Sequence, residues 1–97
     1  MSTEVAVRVF TDSKTNQQVK AAIHLPYLVA KNQWGCDISI IGASLNVKNC
    51  AYGIDELQAL VLGVEMLKTE IRFLDSGTLH FDGGPDLLIG LEIQKGR

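Results

Sequence analysis

Gly53-Ile54-Asp55-Glu56-Leu57-Gln58-Ala59-Leu60 opens the only long stretch of helical periodicity in the chain, and the rest has to be folded around it. Asp55 stands where an N-cap should, with Gln58 three residues on, which is the spacing of a capping box. Glu56 puts a negative charge in the first turn, where the helix dipole favours one. Leu57, Leu60, Val61, Val64, Leu67, Ile71 and Leu74 then recur at helical spacing as an apolar stripe that needs a surface to cover. Ser76-Gly77 supplies a stop, with Gly77 suited to a left-handed position past the last turn. The expectation is one helix from Asp55 to about Leu74.

Almost everything else alternates with period two. In 4–10, Val5, Val7 and Val9 take one side and Glu4, Ala6 and Arg8 the other, so the valines are expected to face the core. Residues 11–17 are wholly polar and read as a turn. In 18–25, Val19, Ala21, Ile23 and Leu25 face in while Lys20 and His24 face out, which makes an antiparallel hairpin with the first strand. Pro26 ends that strand, because it has no N–H to give a sheet ladder, and 27–32 reads as irregular or as a single turn. In 33–41, Trp34, Cys36, Ile38 and Ile40 oppose Asp37 and Ser39. Gly42 breaks that strand, and 45–49 is a shorter one with Leu45 and Val47 inward. After the helix, 78–81 and 87–93 read as two more strands around the turn-rich Asp82-Gly83-Gly84-Pro85-Asp86, and 94–97 as a polar tail.

Four strands, a helix and two strands, each with one apolar face, define an α+β domain over residues 1–97: a single mainly antiparallel sheet of about six strands, β-β-β-β-α-β-β, with the helix packed on one face. The helix carries a second set of small and apolar residues, Ala59, Leu62, Gly63, Met66 and Phe73, so its polar side is narrow. Either the sheet curls around the helix or a helix flank meets another chain, and curling is the expectation. Gly63 costs about 1 kcal/mol of helix propensity against alanine, a cost that a close approach of helix backbone to sheet would compensate.

Composition excludes more than it identifies. An apolar fraction of 46% with 21% charged residues places the chain among globular domains and away from disordered ones. The formal net charge is −2 and no two basic residues are adjacent, which argues against direct nucleic-acid binding. No apolar run has the length of a membrane span, and the first residues lack the basic and apolar regions of a signal peptide, so a cytoplasmic protein without membrane contact is expected. Cys36 and Cys50 then read as reduced, buried side chains, with Cys36 made inert by burial beside Trp34. His24 and His80 lie on the polar sides of their strands without a third ligand, and read as solvated. No metal-binding, phosphate-loop, dinucleotide or nucleophile-elbow spacing occurs, so no metal, no cofactor and no enzyme activity are expected. The open sheet face would carry Arg8, Lys20, His24, Asp37, Ser39, His80 and Glu92.

Trp34-Gly35-Cys36, followed by Ile38 and Gly42, and then 52–60, resembles a family of small uncharacterised bacterial proteins with a Trp-x-Cys strand and a Gly-[Val/Ile]-Asp-x-x-Gln-Ala-Leu helix opening. Gly63-Val64 departs from the Ala-Leu with which that family continues, a difference that touches packing. The resemblance brings no catalytic residues with it. By type, the chain is also similar to the immunity proteins of toxin–immunity pairs, including contact-dependent growth inhibition systems. That likeness implies a bacterial, cytoplasmic protein-binding module that neutralises a cognate toxin domain, a nuclease among the candidates, as a monomer or weak homodimer. The carboxylates expected to meet such a partner are Asp37 and Glu92 on the sheet with Asp82 and Asp86 on the Gly-Gly-Pro loop. The alternatives are a structural or adaptor subunit of a bacterial assembly, self-associating through the Ala59, Gly63 and Met66 flank, and a small enzyme using a cysteine or histidine.

Overall fold

A computed structural model describes residues 3–74 together with the backbone of 79–81. In chain order the elements are β1 (Glu4–Asp12), β2 (Gln17–His24), β3 (Tyr27–Ala30), β4 (Gln33–Gly42), β5 (Leu45–Gly53), α1 (Glu56–Leu74) and β6 (Leu79–Phe81). Every strand pair is antiparallel. β5 pairs along one side of β4, from Trp34↔Gly53 to Gly42↔Leu45. β2 and β3 therefore lie end to end along its other side, at Ile23↔Ile38 and Tyr27↔Gly35. Leu25-Pro26 interrupts them where proline can give no ladder hydrogen bond. β1 lies outside β2 and β6 outside β1, so the six segments make a single sheet about five strands wide with one helix on it.

The turns use local chemistry. Asp12 accepts from the Lys14 N–H through its carboxylate (2.9 Å) and from the Asn16 N–H through its carbonyl (2.6 Å), and Asn16 takes the left-handed conformation at φ 57°. β4 and β5 are joined across Ala43 (φ 49°) and Ser44 (φ 73°), both left-handed as a two-residue hairpin demands. Gly42 (φ 131°) precedes them, and a Cβ there would run into the Gln18 carbonyl.

The helix begins as its residues require. The Asp55 carboxylate accepts from the Gln58 N–H at 2.8 Å, while the Gln58 side chain reaches back to accept from the Ile54 N–H at 2.8 Å. Ala59, Gly63, Leu67 and Ile71, each four residues apart, are buried against the sheet. They meet Phe10, Val19, Ala21, Ile23, Cys36, Ile38 and Ile40 in one apolar core, with Trp34, Leu45, Val47, Leu60, Val64 and Met66 packed around it. At Gly63 a Cβ would stand 2.7 Å from the Cys36 Sγ, so the glycine lets the helix backbone come down onto β4.

Several expectations need correcting. Residues 27–30 form a strand, and β5 extends to Gly53 instead of ending at Asn49. The order over the described residues is β-β-β-β-β-α-β, and the strand expected at 87–93 lies outside them. The phase of β1 is reversed: Phe10, fully buried, pairs with Val19 on the helix side, while Val7 (46% exposed) and Val9 take the other face. Helix α1 lies over β4 and β5 and reaches β2 only at its margin. β1 thus lies at the margin of the core, where the one large ring, Phe10, takes the covered side and the smaller valines the other. Val5 sits in a bulge between the Glu4↔His24 and Ala6↔Ile23 pairs and is also exposed. Arg8, paired with Ala21, follows Phe10 onto the helix side. Leu57, expected in the core, is 70% exposed at the rim of a groove with Val5, Leu25, Pro26 and Leu60. Among the described residues the sheet does not curl over the helix flank either, and Leu62 and Phe73 are exposed.

Candidate functional site: the open sheet face

Strand alternation sends Cys36, Ile38 and Ile40 under the helix, and the same alternation sends Gly35, Asp37, Ser39 and Ile41 to the opposite face of β4. Lys20, Ala22 and His24 join them from β2, and Asn46, Lys48, Cys50 and Tyr52 from β5. No described helix crosses this face. A groove of about 520 Å³ runs over it, lined by His24, Asp37, Ser39, Ile41, Lys48 and Cys50 among others.

Its floor is a set of paired polar groups. His24 Nε2 and Ser39 Oγ share a hydrogen bond of 3.1 Å, and Ser39 is nearly buried. The Nδ1 of His24 is buried with no partner among the described residues. An imidazole poised as a general base has that nitrogen held by a third group, and among the described residues the pair has no such orienting member. The Tyr27 hydroxyl donates to the Asp37 carboxylate at 3.1 Å and lies 3.6 Å from the Cys50 sulfur. Its titration is pushed up, first by the hydrogen bond with Cys50 and then by burial and by Asp37. Tyr52, on the other side of Cys50, is pushed up as well, again chiefly by Cys50. At the rim Lys20 pairs with Glu4 at 2.7 Å, and the lysine holds that carboxyl below the ordinary range.

The two cysteines are free and lie on opposite faces of β4 and β5. Cys36 is completely buried, and its thiol donates to the His24 carbonyl at 3.3 Å, where the β2–β4 ladder ends. Burial, assisted by Cys50 and Asp37, pushes this thiol up to about 11. Cys50 is not the buried hydrophobe the sequence suggested: it is half-buried in the open face.

Of the residues expected at an interface, Asp37 is on this face and held by Tyr27. Asp82, Asp86 and Glu92 lie outside the described residues, and His80 is described only as backbone, paired with Thr11. His24 is engaged with Ser39, not simply solvated. Sequence reasoning missed Tyr27, Lys48, Cys50 and Tyr52. For Lys48, Cys50 and Tyr52 the signal was the alternation itself, continued from 45–49 through 50–53; residues 27–30 have no such alternation and gave none for Tyr27. Among the described residues no three of His, Cys, Asp and Glu gather where they could hold a metal ion. No described helix is long and apolar enough to cross a membrane.

These features define a two-layer α+β domain with one sheet face sealed by a helix and the other open. The chain belongs to the family described as Domain of unknown function (DUF6968), whose model matches residues 6–91. No curated protein and no solved structure matches it.

Proposed function

We propose that this chain is a protein-binding module of the immunity type, which recognises and neutralises a cognate bacterial toxin domain through its open sheet face and acts in the cytoplasm. The observation that supports it is the composition of that face. Exposed Tyr27, Tyr52 and Ile41 stand around a floor whose polar groups are largely paired already, with Lys20, Lys48 and Asp37 placed to set charge register. Aromatic anchors within a polar, charge-patterned rim are the usual make-up of a specific protein interface. A catalytic role finds less support, because among the described residues the His24–Ser39 pair has no orienting group and the Cys36 thiol is held protonated.

The partner is to be sought in the variable C-terminal domain of a large secreted protein encoded immediately upstream. Calorimetric titration of this chain with that domain should give micromolar or tighter binding. Tyr52→Ala and Asp37→Lys should each weaken it by about tenfold or more while leaving the circular dichroism of the free chain unchanged. A clean failure of the unmodified chain to bind at micromolar concentration sinks the proposal.

A further inference from the structure

We infer that the outer edge of β5, with the helix flank above it, is a self-association surface on which a second copy of this chain docks by antiparallel strand pairing. β5 is nine residues long, pairs with β4 in unbroken register, contains no proline, and has no strand on its outer side among the described residues. Proteins normally blunt such an edge with a bulge, a proline or shortness. Among the other segments, β1 and β3 carry bulges and β6 has three residues. β5 has none of these, and of the charged side chains that also guard an edge it carries only Lys48.

The geometry points to a copy of the chain as the occupant. The hairpin closes on Gly42 and Leu45, so Leu45, Val47, Asn49, Ala51 and Gly53 turn their backbone groups toward β4. Asn46, Lys48, Cys50 and Tyr52 turn theirs to the free edge. Of these outward N–H groups, that of Cys50 is held by the Asn49 amide oxygen at 2.9 Å, a local acceptor that the carbonyl of a second strand would replace. Helix α1 runs antiparallel to β5 above this edge, with Ala59 against Gly53 and Glu70 hydrogen-bonded to Asn49 at 3.4 Å. Interpolating between those two points, Leu62 comes level with Tyr52 and Phe73 with Lys48, equally spaced about Cys50. A two-fold axis through Cys50 therefore sets Leu62 of each copy against Phe73 of the other, with Met66 near the axis.

That arrangement meets the need of an isologous interface, in which one patch is complementary to itself. It also accounts for two side chains of the helix flank that the monomer leaves out of its core, Leu62 (40% exposed) and Phe73 (86%), while Tyr52 (53%), on the opposite face of β5, comes beside Lys48 of the second copy. An aromatic buries about 150–250 Å² in full, of which Phe73 still has most and Tyr52 about half to give. Two copies of these three side chains together with two strand edges reach the order of the 1,000 Å² that a specific interface needs. The Ala59 and Gly63 flank is not available for this role, since both residues are buried against the sheet.

Sedimentation equilibrium of the full chain, from low micromolar to several hundred micromolar, tests the inference. The expected result is a concentration-dependent dimer. Lys48→Pro removes an outward N–H and spares the β4 ladder, and Phe73→Lys charges the helix flank. Each should shift the chain to monomer with its circular dichroism retained and its thermal midpoint equal to that of the unmodified chain diluted to monomer. Cys50 adds a register check: hydrogen-bonded pairs sit about 5.5 Å apart at Cα, within disulfide reach. Diamide, which takes up the two thiol hydrogens as the sulfurs join, should cross-link the dimer through Cys50 and leave Phe73→Lys uncross-linked. A chain that stays monomeric at every concentration overturns the inference, and so does a dimer that survives both substitutions.

Discussion

Gly63 and Cys36 set how close the helix comes to the sheet, and the contact works against helix propensity. Alanine in place of Gly63 would gain about 1 kcal/mol of propensity but would set a methyl 2.7 Å from the Cys36 sulfur, and overpacking of that kind costs about 1–3 kcal/mol. Gly63→Ala is therefore expected to lower stability by about 1 kcal/mol in urea denaturation, with part of the loss recovered when Cys36→Ala is added. A net gain in the single variant would show that the sulfur yields freely. Cys36 also gives a pH signature. Its thiol titrates near 11 in the fold against an ordinary 9.0. Between those values the unfolded chain releases a proton that the folded chain keeps, so stability falls as pH rises from about 9 to 11. Cys36→Ala should remove its share of that decline, leaving the part from Tyr27 and Tyr52, whose phenols are also pushed up and begin to contribute above their ordinary 10.0. Asp55→Ala should cost about 1 kcal/mol by stripping the cap from the Gln58 N–H. These residue-scale features were legible in advance: the Asp55–Gln58 spacing and the lone helix glycine each implied their contact. Tyr27 was not, because the short segment after Pro26 carries no period of its own.

Among the elements, the β4–β5 hairpin carries the clearest backbone strain. Its two central residues, Ala43 and Ser44, both hold positive φ, where side chains other than those of Gly, Asn and Asp are costly. Ala43→Asn combined with Ser44→Gly is expected to raise stability by about 1 kcal/mol, read as a shift in the denaturation midpoint at unchanged slope. No change would mean that the turn is already relaxed in solution. The same scale shows where periodicity stops being informative. β4 is covered on its inner face along most of its length, and its alternation assigned Cys36, Ile38 and Ile40 to the core and Asp37 and Ser39 to the open side, as the structure has them. β1 lies at the margin of the helix's cover, where alternation alone does not choose a face, and its bulge at Val5 breaks the period as well. Four-residue β3 is stabilised by β4 rather than by its own pattern: its side chains are all exposed, so nothing in 27–30 announces a buried face.

At the scale of the whole molecule, one layer of helix seals one face of one sheet, and the central packing is concentrated in a few side chains. Leu67→Ala, at a position 5% exposed beneath the helix, should cost about 2–5 kcal/mol in chemical denaturation, while Leu57→Ala at the exposed rim should cost well under 1 kcal/mol. Similar losses at both would mean the helix stripe packs as the sequence pattern alone suggests. Both the binding face and the β5 edge depend on this division into a sealed and an open side, and the two thiols report it directly, one on each. Native-state alkylation followed by peptide mass spectrometry reads both at once. The account predicts that Cys50 is modified at or below the rate of a small free thiol, and that Cys36 reacts at least a hundredfold more slowly (about 2.7 kcal/mol of protection), only as fast as the fold opens. Modification of Cys36 as fast as Cys50 in the folded chain would contradict it.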